Sequence, residues 1–259
     1  MNFTAVEISA WIGAYMWPFF RIGAMLMAAP ISGAQSVPVR VRLIMAVALT
    51  LIIAPLLPPG PQVTMFGFNW FMIIFYQLMI GIVIGFAFQL IFAAVVTGGQ
   101  IIAMQMGLGF ASMVDPQNGQ QVPVLSQLYL MMTTLLFLGM DGHLIMIKVV
   151  ADSFSILPIG MQGIDVDAFY RLATWGSDMF SAALWLALPA IASLLLINFS
   201  FGIMSRAAPQ LQIFSIGFPI TLMMGFVVIY FTLPGVLLQF SVIVDNLVSL
   251  LDFVLGGVR

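Results

Sequence analysis

Few residues of this 259-residue chain could do chemistry, and their types narrow what that chemistry is. Asp141-Gly142-His143 joins a carboxylate to the chain's single histidine, a pair that a proton relay could use. The same triplet also reads as a turn or kink, with Asp141 capping the helix turn that follows. A zinc site needs three or four ligands, and a chain with one histidine and no cysteine offers no such set. No metal and no cofactor is therefore expected. The serines show no Ser-His-Asp spacing and no GxSxG elbow, and no GxxxxGKS/T phosphate loop is present. The chain reads as a non-enzyme. Arg21 stands inside an apolar run, where a charge at bilayer centre costs at least ~2.5 kcal/mol. Either it faces protein or water as an ion-pair or pathway residue, or it snorkels from near the end of its segment. Arg21, Asp141 and His143 are taken together as buried polar positions.

A second kind of chemistry, that of a flexible barrier, is concentrated in residues 98–123, GGQIIAMQMGLGFASMVDPQNGQQVP. Glycines 98, 99, 107, 109 and 119 loosen the backbone, and Asp115-Pro116 favours a turn. Glutamines and methionines crowd between them, and Asp115 is the only charge. Irregular backbone at membrane depth is tolerated only where protein buries it or where it lines a watery cavity. One reading is a loop that lines or plugs a pore, a role that suits methionine because its unbranched thioether repacks around changing partners. The other is an ordinary polar loop between two membrane helices. The residues singled out are Met106, Gly107, Gly109, Phe110, Met113, Asp115, Pro116, Asn118 and Gly119. Upstream, Gly81 and Gly85 form a GxxxG pattern that lets two helix backbones approach closely, within the chain or with a partner.

The elements that must carry these residues follow from composition. Hydrophobic residues make up 63% of the chain and charged residues 6%, with a mean hydropathy of +1.17. A soluble domain carries about a quarter charged residues, so an ordinary cytosolic enzyme is excluded. Seven Lys+Arg cannot build a nucleic-acid groove, and disorder requires the opposite composition. The fold class read here is all-α, of integral-membrane type, built of helical hairpins. Six apolar segments stand near 8–29, 41–57, 68–97, 124–150, 178–204 and 212–240. With Glu7 the first charge and no early basic stretch, the first segment reads as a retained helix rather than a signal peptide. The third is longer than one bilayer core requires, so it must tilt, break or extend beyond lipid. Prolines and glycines at 30–38 and 55–61 punctuate the first half, and residues 151–177 form an acidic connection. Arg40, Arg42 and Arg206 bias their connections toward the cytoplasm, which puts both termini on the other side.

The run QMGLGFASMVDPQNG, the DGH at 141–143, and Arg21 followed by AxxxAP and VPVRVR resemble the FliR family of flagellar biosynthetic proteins. These are the R subunits of type III secretion export gates. The final hairpin, with RAAPQLQIFSIGFP at 206–219, is similar to the loop of the small Q-type subunit. The resemblance implies a P-like portion over 1–177, including the 98–123 loop, and a Q-like hairpin over 178–259. It implies P-type and Q-type subunits and a B-type switch protein as partners, and passage of unfolded flagellar proteins across the bacterial inner membrane at the flagellar basal body. Residues 107–121 would be the plug that closes the channel. Arg206, Pro209, Gln210 and Gln212 would lie at a cytoplasmic-side tip, with much of the assembly above the membrane plane.

Two other readings compete. A secondary transporter for a small solute uses Gly/Pro-broken helices, but Arg21, Asp141 and Lys148 do not form paired positions in two halves. A structural membrane-assembly subunit would have no pore-lining role. Lipid is a partner in every reading, and nucleic acid in none.

Overall fold

A computed structural model of the chain describes residues 5–61, 63, 66–109, 112–114, 121–207 and 213–256. Among them the architecture is helical: α1 (Ala5–Ala28), α2 (Val39–Ile53), α3 (Phe68–Gln105), α4 (Val124–Gly139), α5 (Gly142–Ile156), α6 (Val166–Ala207) and α7 (Ile213–Val254). Four helical stretches are long and apolar enough to cross a membrane: Val39–Leu56, Phe68–Gln105, Val166–Met204 and Gly217–Val254. The pair α4–α5 makes a fifth, bent by 64°. The chain is an integral-membrane-type helical protein.

The centre is α3. Its side chains are apolar around the whole circumference, and such a helix must be covered on all sides. Ile80, Ile84, Ala87, Phe88, Ile91, Val95 and Ala103 are fully buried. Glycines decide how closely its neighbours approach. A Cβ on Gly81 would stand 2.8 Å from Ala24 Cβ, and one on Gly85 would stand 2.7 Å from Ala28 Cβ, so α1 lies directly on the α3 backbone. Further along, a Cβ on Gly98 would meet Leu186 of α6 at 2.9 Å, and one on Gly99 would meet Ser126 Cα of α4 at 3.1 Å.

These contacts also set the levels of the helices. Arg42 at the start of α2 lines a groove with Leu78 and Ile82, so α1 and α2 flank the N-terminal half of α3. The contacts of Gly98 with α6, and of Met106 with Gly225 of α7, place the long hairpin beside the C-terminal half.

Several boundaries differ from the hydropathy segments, and the sixth segment runs on to Val254. The third segment extends to Gln105, so Gly98, Gly99, Gln100 and Gln105 are helical residues of α3. The fourth breaks at Asp141, which adopts φ 57° and ψ 25°. The acidic connection shrinks to residues 157–165, because Asp152 lies on α5 and Asp167, Arg171 and Asp178 lie on α6. Hydropathy marks where charge begins, whereas the backbone ladder continues through exposed charged positions at little cost.

Candidate functional site

The site is the segment joining α3 to α4. α3 ends because Gly107 takes φ +80°, a conformation that glycine adopts without steric penalty. Leu108 N–H donates to Ala103 O at 2.8 Å and Gly107 N–H to Met104 O at 3.1 Å. This pair of bonds is the Schellman arrangement that satisfies the last helix carbonyls. The chain then forms a small antiparallel ladder, with β1 (Ser112–Val114) paired to β2 (Gln121–Pro123) in the register Ser112–Pro123, Met113–Val122 and Val114–Gln121. The two three-residue strands are an addition to the otherwise all-α reading. β2 runs without a break into α4, whose first turns pack on α3 at Gly99. Both ends of the excursion are thus fixed to the central helix.

Of the singled-out loop residues, Met106 is buried at 1% exposure and Gly107 forms the turn. Gly109 follows with only partial burial, and Met113 is placed by its β1 backbone. Phe110, Asp115, Pro116, Asn118 and Gly119 lie outside the described residues. Two contacts with α7 were not legible in the sequence. A Cβ on Gly107 would stand 2.9 Å from the Phe218 ring, and a Cβ on Gly225 would stand 2.7 Å from Met106 Cγ. No local motif marks either position. Arg206 is exposed on the last turn of α6, while Pro209, Gln210 and Gln212 lie outside the described residues.

Arg21 is completely buried. Its Nε donates to Gln77 Oε1 at 2.8 Å, Nη1 to Ser153 Oγ at 3.0 Å and Nη2 to Leu157 O at 2.8 Å. The guanidinium also lies 4.1 Å from the Phe154 ring centroid. These partners on α3, α5 and the end of α5 are all neutral, so Arg21 ties three elements together by hydrogen bonding. It neither snorkels nor forms an ion pair with them.

Asp141 is a correction: it is exposed, not buried. It occupies the N-cap position of α5 in the left-handed region, and its side chain makes no capping bond. The bend itself is held by Gly142, whose absent Cβ leaves room for the Phe137 ring at 2.5 Å, and by Phe137 packing on Phe88 and Phe92. His143 is partly buried with Nδ1 unpartnered. Among the described residues no group of three His, Asp or Glu side chains could hold a metal.

Residues 12–247 match the family described as bacterial export proteins, family 1. The chain is similar to the flagellar biosynthetic protein FliR of Escherichia coli (strain K12), at 44% identity over 225 residues that cover 87% of this chain and 86% of that protein. It is similar to the protein of the same name from Pectobacterium carotovorum subsp. carotovorum, at 39% over 234 residues covering 90% and 89%. A third relative of that name, from Bacillus subtilis (strain 168), is 27% identical over 240 residues covering 92% and 91%. A solute-transporter reading is not favoured by these likenesses. With its family matched over nearly the whole length and its helices long enough for a bilayer, the chain belongs to the bacterial export proteins, family 1.

Proposed function

We propose that the chain is a subunit of the flagellar type III protein export gate, where it helps form the channel for unfolded flagellar proteins and closes it with residues 107–121. It works without catalysis, beside P-type and Q-type subunits and a B-type switch protein. The observation that carries this reading is the α3–α4 excursion. A near-neutral, glycine-hinged hairpin leaves a buried helix at Gly107 and returns to the same helix at Gly99. Such a segment can block ions when folded in, and it would trap neither sign of substrate charge when swung away.

Charge placement supports a membrane-spanning position for the long hairpin, which this reading puts in the inner membrane at the basal body. Residues 179–205 of α6 and 213–244 of α7 carry no charge. The α6 stretch rises about 40 Å, enough for a hydrocarbon core of about 30 Å. Beyond it Asp165, Asp167, Arg171, Asp178, Asp245 and Asp252 are exposed on one side, and Arg206 is exposed on the other. The basic end at Arg206 belongs in the cytoplasm, which leaves the acidic ends of α6 and α7 projecting above the opposite face. On this reading residues 1–177 are the P-like portion and 178–259 the Q-like hairpin, joined through the continuous helix α6.

The test is deletion of residues 107–121 in cells overproducing the gate. Copurification with tagged P-type and Q-type subunits is expected to persist, while the cells leak ions. A deletion strain that stays tight and exports normally refutes the plug assignment. Cross-linking from positions 107–121 to a stalled export substrate separates a channel subunit from a passive scaffold, which gives no adduct.

A further inference from the structure

We infer that α7 is the latch of the plug: Phe218 and Gly225 are positioning residues that hold the hinge at Met106–Gly107 in its closed stance. The inference rests on the plug reading above, and adds to it what sets the position of the loop.

The contact is reciprocal. At Gly107 the α3 side supplies the glycine and α7 supplies the ring of Phe218; at Gly225 α7 supplies the glycine and α3 supplies the side chain of Met106. Phe218 and Gly225 are seven residues apart, so they lie on one face of α7, two turns from each other. That face covers Met106, the C-cap of α3, and touches the left-handed turn at Gly107, which is otherwise exposed. Met106 is 1% exposed and has its Cγ and Sδ where a Gly225 side chain would begin, at 2.7 and 2.9 Å. Any motion that swings the hinge outward must first withdraw Met106 from this notch.

The two ends of the hairpin are therefore unequal. The β2 end continues into α4, which is held on α3 through Ser126 and Tyr129 against Gly99. The hinge end is held by α7, and α7 contains Pro219 directly after Phe218 and Pro234 about two and a half turns beyond Gly225. A proline inside a helix removes a backbone hydrogen bond and permits a bend. A bend at Pro219 moves Phe218 off Gly107, and release is complete only when Met106 also leaves the notch at Gly225.

The chain has no cysteine, so the latch can be locked by an introduced disulfide. The Gly225 Cβ position lies 2.7 Å from Met106 Cγ, which is one bond from Met106 Cβ, so the two Cβ positions are close enough for a disulfide to bridge. In the complete gate carrying Met106→Cys and Gly225→Cys, oxidation is expected to abolish export and reduction to restore it, with subunit copurification unchanged throughout. In the converse experiment, Gly225→Ala displaces Met106 and makes the resting gate leak, and Met106→Ala in the same chain restores tightness. A cross-linked gate that exports normally, or a Gly225→Ala gate that assembles and stays tight, overturns the latch. The 107–121 deletion run alongside distinguishes the two failures. If the deletion leaks while the cross-linked gate exports, the latch alone is wrong; if the deletion is tight, the plug reading falls.

Discussion

Adding a single methyl group at Gly81 should undo the contact between α1 and α3 and, through it, the seat of Arg21. The Cβ of Gly81→Ala would fall 2.8 Å from Ala24 Cβ and against the carbonyl oxygen of Arg21. Carbon atoms rest at about 3.5–4.0 Å, so α1 must retreat by about 1 Å. The hydrogen bonds of Arg21 to Gln77 and Leu157 are 2.8 Å long. Stretched by that amount they pass beyond useful length. Overpacking costs about 1–3 kcal/mol, and weakening bonds made by a buried charged donor adds about 1.5–3 kcal/mol. The better helix propensity of alanine returns about 1 kcal/mol. The net expectation is a loss of about 1.5–5 kcal/mol.

Gly85→Ala forces the same displacement, because its Cβ would stand 2.6 Å from Met25 O and 2.7 Å from Ala28 Cβ. Once α1 has moved for one methyl group, the second finds room. The double variant should therefore cost little more than either single one, well short of their sum. The assay is heat denaturation of the purified complex with the P-type and Q-type subunits proposed above, followed by the fraction of this chain that stays bound. Gly81→Ala melting at the parent temperature, or full additivity in the double variant, refutes the reasoning.

Two further outcomes are expected. Arg21→Met leaves Gln77 Oε1 and Leu157 O without their donor and should destabilise by about 2–4 kcal/mol; adding Gln77→Leu should recover part of this in the same denaturation assay. At the α4–α5 bend, Asp141→Asn should be silent because asparagine tolerates the left-handed region. Asp141→Val should cost about 1–2 kcal/mol there, and equal melting of the two variants would count against the strained-turn account.

Periodicity and composition made some of this legible. The GxxxG at 81–85 announced a close helix contact, and the structure supplies α1 as the helix that fills it. Asp141-Gly142 announced an interruption, since both residues favour turns. Arg21 announced only that lipid could not surround it. Its partners Gln77 and Ser153 lie 56 and 132 positions away, a separation that no local pattern encodes. The polar Gln77, one turn before Gly81 in a helix that also carries Asn69, Gln89, Gln100 and Gln105, was the available signal. Helix ends were the least legible feature, because α6 begins at Val166 among aspartates that hydropathy assigned to a connection.

The sequence by itself determined that this chain is helical and apolar enough for a membrane, and that residues 98–123 are unlike the rest. Those properties are local: they depend on residue type and spacing of a few positions. Tertiary structure decided which glycine faces which helix, that a buried arginine is held by neutral partners from three places, and that Met106 and Gly107 lie against Gly225 and Phe218 of α7. Close packing is the physical reason. A glycine records only that space is needed, and the helix that occupies the space is known once the chain has folded around α3.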